Sequence, residues 1–501
     1  MLQTINSVFI VVSLFVCVSL SGCNTDNNPN GPDNVSISDT LVIGIAGGEF
    51  TTSDGGITII VEFGKLNSDA TLVISSQSTF PGFLPGTCYS FELDGQDSFD
   101  LPCKLRFYFD ETLIPGNTVA SALSVCKYDG ENWYLVGGAV WDGYNYIEVY
   151  LSQFSPLGVR PMAYGNIYSE YLGYTITSQE LVEQFGANHY TGITSGLHIS
   201  GDDITSLEPL QDLQWIGSMQ ISECPNLVNL QGLQNVEAIG SVIIAQMDQL
   251  QNLEGLTSLS SIGGYLNFST LHNFHDFQGT SLTSIGGVVL AGVGIENFYG
   301  FENISSIPDL HVFGCFSLTS MQGLENVERI DTLEITLNAS LPNFIGLENL
   351  TEVYNLMLVA NDSLESFAGL ENLTTITNLL EIRINPSLLN VDDLLSLEHI
   401  GTLFLEENEA ILNLDGLNTV SMVGWYPLYN PGSFLINQNN NLISIEGLSN
   451  IQVNPGNNLA FPSHLIITNN SSLGNENAED LLEELGGEEV VGGIVLIEGN
   501  G

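Results

Sequence analysis

The chain is predicted to be mainly β, with a parallel β-solenoid preceded by a small β-sandwich. Two observations carry this. A leucine-marked unit of about 23 residues recurs from Leu197 onward. Residues 40–162 carry short β-branched runs separated by Gly- and Asp-containing turns. A third observation, an apolar N-terminal run that stops at a cysteine, marks the chain for export.

The apolar run Val8 to Leu20 is too short to span a bilayer as a mature helix. It closes on Leu20-Ser21-Gly22-Cys23, which resembles a bacterial lipobox. The resemblance implies a signal peptide over residues 1–22, cleavage before Cys23 and lipidation of its thiol. Several acyl chains on one residue would make the attachment stable, because a single chain binds only marginally. Met1 to Ser7 departs from the usual pattern in holding no Lys or Arg, and an ordinary secretory peptide is the alternative. Asn24 to Asp39 is polar and rich in Asn, Pro and Gly, so residues 23–39 read as a flexible tether.

The sandwich is expected over residues 40–162. Its strands are read at Leu41 to Ile43, Ile57 to Val61, Thr71 to Ile74, Tyr89 to Leu93, Lys104 to Phe109, Ala122 to Tyr128, Trp133 to Val136 and Tyr146 to Leu151. Gly47-Gly48-Glu49-Phe50, Asp54-Gly55-Gly56-Ile57-Thr58, Tyr128-Asp129-Gly130 with Trp133, and Phe154-Ser155 resemble the ZU-five-type domain of ankyrins and netrin receptors. That resemblance implies an interaction or spacer module. Some relatives cleave themselves at His-Phe-Ser. Here the triplet is Gln153-Phe154-Ser155, and Gln cannot serve as the base, so no self-cleavage is expected. Among Cys88, Cys103 and Cys126 two could pair in an oxidising compartment. Cys88 with Cys103, read on adjacent strands, is the favoured choice, and the connectivity stays open.

Residues 163–196 are read as a linker with a capping helix, Gln179 to Phe185, introduced by Ser178. The solenoid then occupies 197–501 in about twelve rungs. Its frame is clearest in Leu333 to Asn355, Leu356 to Asn378 and Leu380 to Thr402: L-x-I-x-x-N-x-x-L-x-x-F-x-G-L-x-N-L-x-x-I. Other units start at Leu197, Met219, Val242, Leu266, Val288, Leu310, Leu403, Phe434 and Leu465, with a partial one at Val495. L-x-I is a short strand whose outer residues point inward. No unit buries its own apolar edge, so units must stack, giving a rod of about 60 Å at about 4.8 Å per rung.

The sixth frame position holds Asn338, Asn361, Asn385, Asn408, Asn439, Asn470 and Asn500 in the later rungs. Stacked there, Asn can satisfy buried backbone groups. Earlier rungs place Asp202, Cys224, Met247, Leu271, Val293 and Cys315 at it. Cys224 and Cys315 then lie four rungs apart, on the order of 19 Å, beyond disulfide reach. The opening Tyr190-Thr191-Gly192-Ile193-Thr194 and Gly196-Leu197-His198-Ile199, with recurring Ser-Ile-Gly-Gly and Gly-Leu-x-Asn-Leu, resembles receptor L-domain proteins of bacterial type. These are right-handed β-helical relatives of leucine-rich repeats. The resemblance spans residues 175–501 and implies binding through a sheet face or rung loops, without enzymatic activity. A second capping helix is read at Ala478 to Leu485.

The middle residue of each L-x-I faces solvent. This file runs His198, Gln220, Ile243, Asn267, Val289, His311, Glu334, Met357, Glu381, Phe404, Leu435 and Ile466. Insertions at Gly424 to Ser433 and Asn454 to His464 add Trp425, Tyr426, Tyr429 and Phe461, side chains suited to interfaces and sugar stacking. Packing over the solenoid is their alternative role. Glu381, Phe404, Trp425, Tyr426 and Tyr429 are the candidate ligand-binding residues.

Charge narrows the partners. The chain has 58 acidic residues against 7 Lys and Arg, a net charge of −51, so it repels nucleic acid. Solubility of an exported protein is the simplest reason for that charge. A protein or glycan ligand is expected, and membrane contact only through the lipid. No cofactor or metal is expected: His272 and His275 lack an evident carboxylate partner, and no D-x-D-x-D-G loop occurs. An enzyme of the polysaccharide lyase or hydrolase kind would need paired carboxylates. Glu334 and Glu381 lie about 10 Å apart, with Arg383 read in a turn. A surface recognition or adhesion protein is therefore favoured, and a structural envelope protein without a soluble ligand is the alternative.

Overall fold

The computed structural model describes residues 38–43, 47–61, 70–76, 83–93, 98–114, 123–128, 133–137, 139–141, 145–153, 157–161, 167–168, 173–423, 433–451, 464–488, 491 and 494–501. Cys23, Ser155, Trp425, Tyr426, Tyr429 and Phe461 lie outside the described residues.

The N-terminal part holds two antiparallel sheets. One orders Ser38–Ile43, Ala70–Ser76, Tyr89–Leu93, Leu157–Pro161, Leu123–Tyr128 and Trp133–Gly137. The other orders Gly48–Thr51, Ile57–Val61, Ser98–Tyr108, Tyr146–Gln153 and Ala139–Trp141. Alternate residues point inward, and Leu72, Ile74 and Val125 of one sheet share a buried cluster with Ile59, Leu105 and Ile147 of the other. The Asp54-Gly55-Gly56 turn is built for closeness. Tyr89 donates its hydroxyl to Asp54 Oδ2 at 2.9 Å, and a Cβ on Gly56 would overlap that hydroxyl.

One expectation is corrected here. Cys88 and Cys103 do not lie on adjacent strands. Tyr89–Leu93, which follows Cys88, belongs to the first sheet, and Ser98–Tyr108, which contains Cys103, to the second. These two consecutive strands cross between the layers of the sandwich, so closeness in sequence did not give closeness in the sheet.

From Ile167 the chain forms one parallel sheet that ends at Val495–Glu498. Its register follows the repeat residue for residue. Leu310 pairs Leu333, Leu333 pairs Leu356, Leu356 pairs Leu380 and Leu380 pairs Leu403. It runs on through Phe434 and Leu465 to Val495. The register also starts one turn earlier than expected, because Tyr174 pairs Leu197. That turn carries helix α1 (Gln179–Gly186) where the others carry frame leucines, which hides it from the pattern. Ser178 caps α1 by accepting from the Leu181 N–H at 3.3 Å. Helix α2 (Asn475–Glu484) begins three residues before the expected Ala478 and buries Ala478 and Leu481.

Inside, the apolar frame positions form one continuous core. From Phe268 to Phe301 it holds a phenylalanine cluster, with Phe277 stacked on Phe301 at 4.3 Å and edge-on to Phe274 at 5.3 Å. From Asn338 onward an asparagine ladder runs beside the apolar core. Asn338, Asn361, Asn385, Asn408, Asn439 and Asn470 are fully buried. Each donates its backbone N–H to the next asparagine's Oδ1, at 2.9 to 3.1 Å. Each Nδ2 donates back to a carbonyl of the preceding turn, as Asn385 does to Leu358 O at 3.0 Å.

Cys224 and Cys315 occupy ladder positions as expected. Cys224 Sγ approaches Ser222 O at 3.3 Å, and burial pushes the Cys315 thiol up to about 11. Asp202 does not belong to the ladder. It is exposed, and Gly201, whose N–H bonds Cys224, fills the place. A Cβ at Gly201 would run into Thr177 O at 2.6 Å, so an Asn cannot sit there.

Candidate ligand-binding face

The outward residues of the strands form straight files because the register never slips at L-x-I. His311 pairs Glu334, Glu334 pairs Met357, Met357 pairs Glu381 and Glu381 pairs Phe404. Leu435, Ile466 and Leu496 continue the file, so its C-terminal stretch is apolar. Strand Trp133–Gly137 of the sandwich runs beside the early turns, at Ala238–Ile239, Ser261–Leu271 and Ser284–Val293.

Two expected site residues, Glu381 and Phe404, are brought together. What joins them is a residue the sequence reading set aside. Arg383 does not lie in a turn. It is the last residue of strand Thr375–Arg383, two beyond Glu381, and so on the same face. Its Nη1 is 3.3 Å from Glu381 Oε1 and its Nη2 is 2.9 Å from Glu406 Oε2. The guanidinium also lies over the Phe404 ring, 5.2 Å from the centroid. Glu406 Oε1 accepts from Asn437 Nδ2 at 2.8 Å, and Asn437 Oδ1 accepts from Thr468 Oγ1 at 2.9 Å. A polar network therefore crosses four turns beside an apolar file. Period-two alternation carried past Ile382 would have found Arg383 and Glu406.

The other carboxylate weighed for catalysis is also engaged. Glu334 Oε2 is 2.9 Å from His311 Nδ1. With Met357 between them in the file, Glu334 and Glu381 do not face one another as an acid–base pair would. The histidine reading needs correction. His272 does have a carboxylate partner, Asp248, at 2.9 Å, and His275 has Glu296 at 3.7 Å. These partners come from neighbouring turns, which the sequence separates. Among the described residues no three His, Cys, Asp or Glu side chains group as metal ligands.

Two insertions interrupt the repeat, and their residues lie outside the described ones. One joins Val423 to Ser433, just before Phe434, and the other joins Ile451 to His464, just before Leu465. They carry Trp425, Tyr426, Tyr429 and Phe461. Among the described residues no helix is long and apolar enough to cross a membrane.

Residues 193–315 and 267–380 match the family described as BspA type leucine rich repeat region, in six copies. The solenoid is thus leucine-rich-repeat-like. No curated protein matches the chain. Among solved structures, a crystal structure of a TLR13–ssRNA13 complex is similar over 62% of this chain, at 16% identity and a TM-score of 0.24. This chain spans 55% of that protein.

Proposed function

We propose that this chain is an exported, lipid-anchored recognition protein that binds a protein or glycan through the strand face of its solenoid. The observation that carries the reading is the cluster of Glu381, Arg383, Phe404 and Glu406. It offers a guanidinium on an aromatic ring, flanked by carboxylates, beside the apolar file of Phe404, Leu435 and Ile466. Such a surface has donors and acceptors for hydroxyls or peptide groups and an apolar strip for rings. Trp425, Tyr426 and Tyr429, which precede Phe434 in the sequence, are proposed as further ligand contacts. The N-terminal sandwich acts as a spacer, and the lipid on Cys23 holds the protein to the envelope. A net charge of −51 disfavours nucleic acid as ligand.

The test is a screen of the purified full chain against glycan and surface-protein arrays at two salt concentrations. A saturable ligand lost on Phe404→Ala, with the unfolding midpoint kept, supports the reading. A blank screen from folded, monomeric protein overturns it and favours a structural envelope role. Separately, Cys23→Ala releases the protein from the membrane fraction. A variant that stays bound after salt extraction removes the lipid anchor from the proposal.

A further inference from the structure

At the end of each L-x-I strand from Met219 onward the chain turns sharply, and the residue at the bend is left-handed. Gly314, Leu337, Ala360, Ile384 and Glu407 hold this place in five successive turns, with φ between 55° and 60°. The bend belongs to the architecture, but its occupant is free to vary. Glycine and asparagine take positive φ most readily, and a β-branched residue takes it least readily. Leucine at 337 and isoleucine at 384 are thus strained choices. They are only partly buried within the chain, being 54% and 40% exposed.

These side chains belong to one patch. The bends stack through Leu337 N–H to Val359 O, Ala360 N–H to Arg383 O and Ile384 N–H to Glu406 O, at 2.9 to 3.0 Å. Their spacing is therefore that of the strands, about 4.8 Å. Phe316, 65% exposed, lies against Gly314, and Phe313 and Val359 line the adjoining file. The rim is acidic. Glu334, Glu381 and Glu406 lie on the strand side, exposed Glu407 occupies a bend, and exposed Asp362 and Glu409 follow the bends. Arg383 is the cation nearby, and two of these carboxylates already hold it.

We propose that Phe316, Leu337, Val359 and Ile384 form a docking surface for a protein segment with aliphatic side chains flanked by lysine or arginine. The apolar centre supplies burial and the carboxylate rim selects the charge. A second copy of the chain fits poorly, because it would set acidic rim against acidic rim on a protein of net charge −51.

The test uses the full chain with an amphipathic leucine–lysine peptide as probe. A serine–lysine peptide of equal length and charge is the control. The leucine–lysine peptide binds saturably at one to one, and Leu337→Asn with Ile384→Asn weakens it by about tenfold or more. Asparagine suits the bend, so the double variant melts no lower than the parent. Equal binding of both peptides, or undiminished binding by the variant, overturns the proposal. Concentration-dependent dimers in sedimentation that the same variant abolishes would assign the patch to a second copy and also overturn it.

Discussion

Asn361 donates its backbone N–H to Asn385 Oδ1 at 3.0 Å, one turn further along the solenoid. The same Asn385 returns Nδ2 to Leu358 O and to Arg383 O, each at 3.0 Å. One side chain thus bonds three backbone groups in two turns. Asn385→Leu fits the space but removes these bonds, and Arg383 O keeps the Ala360 N–H. A loss of about 3–5 kcal/mol is expected, read as a lower urea midpoint with faster hydrogen exchange at Asn361.

The Gly-Leu-x-Asn-Leu motif rests on contact between turns. Gly369 has φ of +100°, and a Cβ on it would sit 2.2 Å from Phe344 O. The next Glu371 accepts from the Gly369 N–H with both carboxylate oxygens at 3.0 Å. Gly369→Ala should cost about 2–4 kcal/mol. Unfolding at an unchanged midpoint would show that the turn can shift away.

His399 gives the fold a titrating group in its core. It is 2% exposed, and burial pushes its pKa from 6.5 down to about 4. The folded value is depressed, so the unfolded chain binds the proton first. Stability is whole above about pH 6.5 and falls toward pH 4, by about 3 kcal/mol from this group. Protonation of carboxylates acts in the opposite sense on a chain this acidic, so the difference from His399→Gln is the quantity to measure. Parallel pH profiles for the two proteins would contradict the assignment.

Arg383 and Glu406 are coupled at 2.9 Å but partly exposed. A double-mutant cycle with Arg383→Met and Glu406→Gln should give a coupling of about 1 kcal/mol. That coupling should shrink in molar salt, while overall stability rises as the charge of −51 is screened. A coupling indifferent to salt would contradict an electrostatic origin and point to the stacking of the Arg383 guanidinium on Phe404.

The repeat was written in the sequence because every turn must solve the same problem. Leucines at fixed spacing have to meet a shared core, and a one-residue slip would turn each strand inside out. That is why Leu333, Leu356, Leu380 and Leu403 were legible as register partners, and the ladder from Asn338 to Asn500 with them. The turn bearing α1 escaped notice because a helix supplies its apolar side chains at a different period. Relations between turns were decided only by the tertiary structure. Asp248 beside His272, and Glu406 beside Arg383, are 24 and 23 residues apart, and stacking alone brings them within hydrogen-bond reach. Likewise the placing of Leu337 and Ile384 at exposed left-handed bends is a matter of backbone angle, which the repeat pattern does not encode. The spacing of the leucines set the core and its period. Stacking decided which side chains meet on its surface, and the candidate face is made of those meetings.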